Sequence, residues 1–149
     1  LDELTKSQVA ERKGINNNPS PEQIENLKAL AVNILQPVRS HFDKPLIISS
    51  GFRCPQLCLE IGSSVNSQHC ADEEAAAADF EIPGVDNKEL GTWIRNNLEV
   101  DQGILEFYKD GEPSSGWIHV SYSRNHNRQQ WLRAMREEGK VIYKPWLGE

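Results

Sequence analysis

Ser67–Phe80 reads SQHCADEEAAAADF, and Trp117–Ser121 reads WIHVS. Together the two stretches supply a histidine, an aspartate and a second histidine, namely His69, Asp79 and His119. Zinc accepts imidazole nitrogen and carboxylate oxygen, and three such ligands leave one coordination position for a water. Zinc lowers the pKa of that water toward neutrality, so that it can attack an amide or ester carbonyl. These residue types therefore indicate a hydrolytic zinc site.

The residues around the two stretches show strand patterns. Ala77–Ile82 is predicted to be a strand, and Gly103–Tyr108 and Trp117–Tyr122 are predicted to pair as a hairpin with a long loop. Successive side chains of a strand point to opposite faces of a sheet. This alternation predicts that Glu106 and His119 lie on the same face.

Other segments are predicted to be helices or outer strands. Ser20 and Gln23 form a capping box that opens a helix with helical apolar spacing as far as Phe42, and Pro37 is expected to kink that helix or end it early. Asp86 begins a second helix with a similar cap. The remaining predictions are a buried strand at Leu46–Ser50, a helix at Asn127–Glu138 and a short last strand at Val141–Tyr143.

The composition limits the class of protein. A chain of 149 residues predicts one domain, residues 1–149, and we expect it to act as a monomer. Its net charge of −6 argues against a nucleic-acid partner. No apolar run reaches the roughly 20 residues that a membrane helix needs, so no membrane partner is expected. No signal segment is visible, although the chain begins at Leu1 rather than at methionine.

The cysteines are odd in number: Cys54, Cys58 and Cys70. At least one of them has no partner within the chain, which is unlike a secreted disulfide framework. We interpret them as reduced thiols in a protein made in a cytoplasm. The alternative is a structural zinc site that combines these sulfurs with His69, for which the spacing of Cys54 and Cys58 is loose.

Four motifs together resemble one family. They are Ser49-Ser50-Gly51-Phe52-Arg53, Ser67-Gln68-His69, Ala78-Asp79-Phe80 and Trp117-Ile118-His119-Val120-Ser121. Their order and spacing resemble the zinc D-Ala-D-Ala carboxypeptidases, and among these the single-domain type found in phage lysins (peptidase M fifteen A, C-terminal domain). The resemblance extends from about Leu4 to Tyr143. It implies an α+β fold, hedgehog- or DD-peptidase-like, in which helices pack on one side of a small antiparallel sheet.

The resemblance also implies roles for single residues. His69, Asp79 and His119 would bind zinc. Arg53 would hold a substrate carboxylate or backbone oxygen, because its planar fork suits either group, and Ser67 would line the substrate site. For the general base we choose Glu106 because it is expected to face His119. Some relatives carry an acid three residues before the last histidine, where this chain has Gly116, and Trp117 is expected to pack beside the site.

The chain departs from the family pattern after the first histidine. The pattern has a glycine three residues after it and the aspartate seven after it. Here the third residue is Asp72, and Asp79 follows ten residues after His69. Extra loop residues cost little chain entropy, whereas the position of a metal ligand is fixed within a few tenths of an ångström. We expect Asp79 to be the ligand after a bulged loop; the alternatives are Asp72 or Glu73, or a degraded site.

These observations predict a zinc-dependent peptidase that cleaves stem peptides of peptidoglycan. It would be made in the cytoplasm and would act at the bacterial cell wall as a D,D- or L,D-peptidase or carboxypeptidase. The altered loop after His69 supports an alternative, a non-catalytic wall-binding or virion structural domain that retains the fold. A hydrolase acting on some other amide is a third interpretation.

Overall fold

The computed structural model describes Leu4 and residues 19–51 and 75–146. Within these ranges the chain forms one six-stranded sheet with helices packed against it, so the expected α+β class is confirmed. The helical segments are α1 (Pro21–Leu30), a π-helical turn (Ala31–Leu35), α2 (Gln36–Phe42) and α3 (Asn87–Asn97). The strands are β1 (Ile47–Ser50), β2 (Ala75–Glu81), β3 (Gln102–Glu106), β4 (Trp117–Ser123), β5 (Gln130–Glu137) and β6 (Lys140–Pro145). None of the described helices is both long and apolar enough to cross a membrane.

The strands lie in the order β1-β2-β4-β3-β5-β6. The predicted hairpin of β3 and β4 is confirmed, and the other neighbours are also antiparallel except for β3 and β5. The sheet is therefore mixed, with one parallel pair within the antiparallel arrangement that was predicted. After β4 the chain passes through residues 124–129 to the far side of β3, where β5 runs in the same direction as β3.

The long helix begins at the predicted capping box. The Ser20 amide donates to Oε1 of Gln23 over 2.8 Å, and the Gln23 amide donates to Oγ of Ser20 over 3.3 Å. Pro21 occupies the first helical turn, where an absent N–H costs nothing. These contacts fix the start of α1 before its apolar face meets the sheet.

Pro37 does not end this helix. The π-helical turn lies directly before it, and the chain continues as α2 to Phe42. A proline ring clashes with the carbonyl four residues earlier, which here belongs to Asn33 within the π turn. The wider turn therefore accommodates Pro37 as a local change of helix geometry.

The predicted helix at Asn127–Glu138 is wrong, because Gln130–Glu137 is strand β5. Backbone pairing with β3 on one side and β6 on the other overrides the helix propensity of these residues. Trp131 packs where its partner Gly103 has no side chain, since a Cβ on Gly103 would collide with the indole ring. At the other end, Glu138 and Gly139 have φ of 52° and 78°, as a tight hairpin turn requires.

The strand predicted as buried at Leu46–Ser50 is instead the edge strand β1. Its first residue, Ile47, is 52% exposed, and only β2 pairs with it among the described strands. An apolar run is typical of buried strands, but position in a sheet depends on pairing partners that are distant in sequence. The predicted last strand at Val141–Tyr143 is confirmed as the centre of β6.

The described helices pack on one face of the sheet, as expected. The core between them and the sheet contains Leu27, Leu30, Ile34, Leu90, Ile94, Ala76, Ala78, Phe80, Leu105, Ile118 and Val120. Because side chains alternate along each strand, the neighbours of these core residues point to the opposite face. That opposite face carries Asp79 on β2 and His119 on β4.

Candidate metal centre

Asp79 and His119 lie directly opposite each other on the antiparallel strands β2 and β4. Nδ1 of His119 is 2.8 Å from Oδ1 of Asp79, and the two side chains are only 12% and 14% exposed. Nδ1 of His119 donates to Oδ1 when it carries the imidazole proton, because an ionised carboxylate can only accept. The strand register therefore brings together two of the three residues predicted as zinc ligands.

Glu106 lies on the same face, at the end of β3. One ligand atom each from Asp79, Glu106 and His119 lies within 4.8 Å of the other two. Carboxylate oxygens and an imidazole nitrogen are donors that zinc accepts, so these residues fit the ion that the motifs imply. The prediction that Glu106 and His119 share a face is confirmed by this geometry.

Trp117 binds Glu106 directly. The two residues are opposite each other on β4 and β3, and the indole Nε1–H donates to Oε2 of Glu106 over 2.6 Å. Trp117 also packs on Phe107, with ring centroids 5.5 Å apart, as expected of a residue beside the site. The hydrogen bond was not predicted, although the hairpin register, which pairs these residues, is the signal that points to it.

The backbone at Gly116 leaves no room for a side chain, so an acid at this position cannot contribute a carboxylate to the centre. The φ of Gly116 is +64°, and a Cβ there would collide with the backbone oxygen of Glu106. The acid that some relatives carry at this position has no room in this backbone. Phe107, directly after Glu106, also has a positive φ of 55°, and its amide donates to the carbonyl of Ala134 over 3.0 Å. Glu106 therefore sits at a tightly constrained end of β3.

The start of α3 holds the loop that leads into β4. Nδ2 of Asn87 donates to the carbonyls of Ser115 and Gly116 over 3.0 and 3.2 Å. Asp86 is the N-cap of α3, as predicted, and its Oδ1 accepts from the Lys88 amide over 2.8 Å; the structure gives this helix that N-terminal bond and not the full capping box that was predicted with Glu89. These bonds fix the loop immediately before Trp117.

Tyr108 joins this network from the strand side. Its hydroxyl donates to Oδ2 of Asp86 over 3.1 Å. Burial raises the pKa of the Tyr108 phenol, and the hydrogen bond to the Asp86 carboxylate raises it further. The helix cap and the end of β3 are thus joined through one carboxylate.

Several predicted residues lie outside the described ranges. These are Arg53, Ser67, His69, Asp72, Glu73 and the three cysteines. The structure places Asp79 beside His119, but without Asp72 and Glu73 the choice among the three acids stays a prediction. The roles of Arg53, Ser67 and His69 also stay predictions.

Comparison with known proteins identifies the family. A search of curated proteins found no match. Residues 1–121, most of the chain, match the Peptidase M15 family, a family of metallopeptidases that are typically zinc-dependent. The match ends short of Tyr143, the limit expected from the motifs, and leaves β5 and β6 outside it. By this match the chain belongs to the Peptidase M15 family, in agreement with its resemblance to the zinc D-Ala-D-Ala carboxypeptidases.

Proposed function

We propose that this protein is a zinc-dependent peptidase that cleaves stem peptides of bacterial peptidoglycan, as a D,D- or L,D-peptidase or carboxypeptidase. One observation carries the proposal: Asp79, Glu106 and His119 bring metal-binding donors within 4.8 Å of one another in a chain of a metallopeptidase family. The resemblance of the motifs to carboxypeptidases of the cell wall supports the substrate class. The site of action would accordingly be the wall.

His69, Asp79 and His119 would hold the zinc. A bound zinc ion would act as a Lewis acid that polarises the carbonyl of the peptide bond. Asp79 and His119 are well suited to hold it, because their pairing on adjacent strands fixes both side chains with little exposure to solvent.

Glu106 would move the proton. A carboxylate at this position can accept a proton from the attacking water and then donate it to the leaving amine, so that one water is consumed for each bond broken. Trp117 holds Oε2 of Glu106, which orients the carboxylate in the site. By the resemblance, Arg53 would anchor the peptide and Ser67 would line its path.

Two substitutions separate metal binding from catalysis. Glu106→Gln should retain zinc and lose hydrolysis of purified peptidoglycan by a factor of about 10² to 10⁴, the contribution typical of a general base. His119→Ala should lose both the zinc and the activity. Glu99→Gln, at an exposed residue between α3 and β3, is the matched control and should leave both unchanged. Full activity of Glu106→Gln would contradict the proposed base.

Elemental analysis tests the ligand assignment. One zinc per chain that is lost in Asp79→Ala and retained in Asp72→Ala would support Asp79 as the ligand. Loss in Asp72→Ala alone would move the ligand into the loop after His69. A wild-type protein that binds no zinc, even after zinc is added, would contradict the enzyme and support a non-catalytic wall-binding domain.

A further inference from the structure

The face that carries the candidate metal centre continues beyond Glu106 as an aromatic and cationic surface. Trp117 packs on Phe107, and Cζ of Arg136 lies 5.2 Å from the centroid of the Phe107 ring. The contacts therefore run without interruption from Glu106 through two aromatic rings to a guanidinium. Trp117, Phe107 and Arg136 thus form one continuous surface beside Glu106.

The sheet register extends this surface onto β6. Glu106 pairs with Ala134 on β5, and Ala134 pairs with Tyr143 on β6. Arg136 lies two residues beyond Ala134, so it points to the same face, and it pairs with Val141. Val141 and Tyr143 are 41% and 55% exposed, so their side chains extend the apolar part of this surface. Exposed apolar area next to a candidate active site is typical of a surface that binds a ligand.

The charge of Arg136 has no acidic partner in the described part of the chain. The nearby arginines differ, because Arg128 pairs with Asp101 over 3.0 Å and Arg133 pairs with Asp110 over 3.5 Å. The contact of Arg136 given by the structure is the one with Phe107. Its side chain is exposed, so the guanidinium is available to an anion from solution.

We propose that Arg136 binds a free carboxylate of the peptide substrate, two or three residues from the bond that is cut. This inference rests on the proposed function. Adjacent strands are about 4.8 Å apart and residues rise about 3.3 Å along a strand, so the Cα atoms of Glu106 and Arg136 are about 8 Å apart. An extended peptide covers about 3.3–3.6 Å per residue, so two or three residues span this distance.

Two features favour a carboxylate as the group that Arg136 binds. The planar guanidinium forms paired hydrogen bonds with a carboxylate, and the Phe107 ring supports it from below. The chain as a whole carries a net charge of −6, so an exposed guanidinium whose contact in the described part of the chain is an aromatic ring is a favourable place for an acidic group. An acidic peptide would therefore bind with its charge toward Arg136. Since β5 lies outside residues 1–121, this specificity would belong to this chain beyond the family match.

Matched peptides test the proposal. The probes are acetylated peptides ending in D-Ala-D-Ala with glutamate two or three residues before the cleaved bond, and the same peptides with glutamine. In Arg136→Gln, kcat/KM for the better glutamate peptide should fall about tenfold or more through KM, whereas the glutamine peptide should change less than about twofold. Arg136→Lys should recover part of the loss. Arg95→Gln, on α3, is the control and should not distinguish the peptides.

Equal losses for both peptides, or no loss for the glutamate peptides, would overturn the role of Arg136. If the zinc-loaded wild type cleaves no peptide, the proposed function fails. Binding of the glutamate and glutamine peptides to the Glu106→Gln protein, measured by calorimetry, then tests the carboxylate site at Arg136 separately. The proposal would be supported if the glutamate peptide binds more tightly than the glutamine peptide and this difference disappears when Arg136→Gln is added. Equal binding of the two peptides while Arg136 is intact would overturn it.

Discussion

Replacing Trp117 with phenylalanine removes one hydrogen bond from the candidate centre and keeps an aromatic ring in place. The indole Nε1–H donates to Oε2 of Glu106 over 2.6 Å, and the ring packs 5.5 Å from Phe107. Phenylalanine retains the packing and cannot donate. The substitution therefore tests whether Glu106 needs this donor to act.

The structure sets the size of the expected effect. A hydrogen bond to a charged group contributes about 1.5–3 kcal/mol. Glu106 and Trp117 are both half-buried, so water can replace part of the lost donor, and we expect the lower half of that range. At about 1.4 kcal/mol for each factor of ten, kcat/KM of Trp117→Phe should fall about 10- to 40-fold. Zinc content should not change, because the bond that is lost belongs to Glu106, whereas Asp79 and His119 are the predicted ligands.

The assay is peptide hydrolysis by zinc-loaded protein, with circular dichroism as a check of folding. Trp93→Phe is the matched control, because Trp93 stacks on His41 at 4.3 Å on the helical side of the molecule. Trp117→Phe and Glu106→Gln should be coupled. In protein that already carries Glu106→Gln, adding Trp117→Phe should cause no further loss of activity. Unchanged activity of a folded Trp117→Phe, or an equal further loss in the Glu106→Gln background, would refute the reasoning.

Three more perturbations follow from the site and its supports. Gly116→Ala should lower the free energy of unfolding by about 2–5 kcal/mol in urea titrations, because it adds a positive-φ penalty and a collision with the backbone of Glu106. The control Gly111→Ala, at φ +86° in open space, should cost only about 1–2 kcal/mol. Equal costs for the two substitutions would contradict the collision. Tyr108→Phe should cost about 1 kcal/mol by removing the bond to Asp86. Because the folded-state pKa of Tyr108 is raised, its stabilising contribution is complete below the unfolded pKa of about 10 and is lost as the pH rises toward the folded pKa. The Tyr108→Phe protein should not show this loss of stability at alkaline pH. Identical pH profiles of unfolding for wild type and Tyr108→Phe would contradict the prediction. Removing metal with EDTA should end hydrolysis and lower Tm, and zinc at about 100 times its Kd should restore about 2.7 kcal/mol; a Tm that does not respond to zinc would contradict the candidate centre.

The motifs of this chain predict the position of the centre better than the extent of the sheet. Strand alternation around Asp79, Glu106 and His119 depends on local sequence, and the two-residue period alone puts Glu106 and His119 on one face. That Asp79 lies opposite His119 depends on the pairing of β2 with β4, which local alternation does not predict. The order and spacing of the motifs imply that these two residues belong to one site, and the structure places them side by side.

The outer strands were harder to predict because their state depends on remote partners. Residues 130–137 have good helix formers, and they become a strand only because β3 and β6 provide backbone partners and Gly103 leaves room for Trp131. The same dependence explains β1, whose apolar residues lie at an edge. The turn at Glu138–Gly139 was a usable local signal for the β5–β6 hairpin.

The β5–β6 hairpin has a consequence for the solubility of the folded chain. Without it, β3 would be an edge strand with unpaired backbone groups, directly beside Glu106 and open to pairing with another molecule. The hairpin moves that edge outward to β6, which carries Lys140 and Lys144 and ends at Pro145. Lysines and proline discourage further strand addition, so the hairpin protects the centre of the sheet from aggregation. A chain shortened after Ser121 would lose this protection even if its metal ligands were intact.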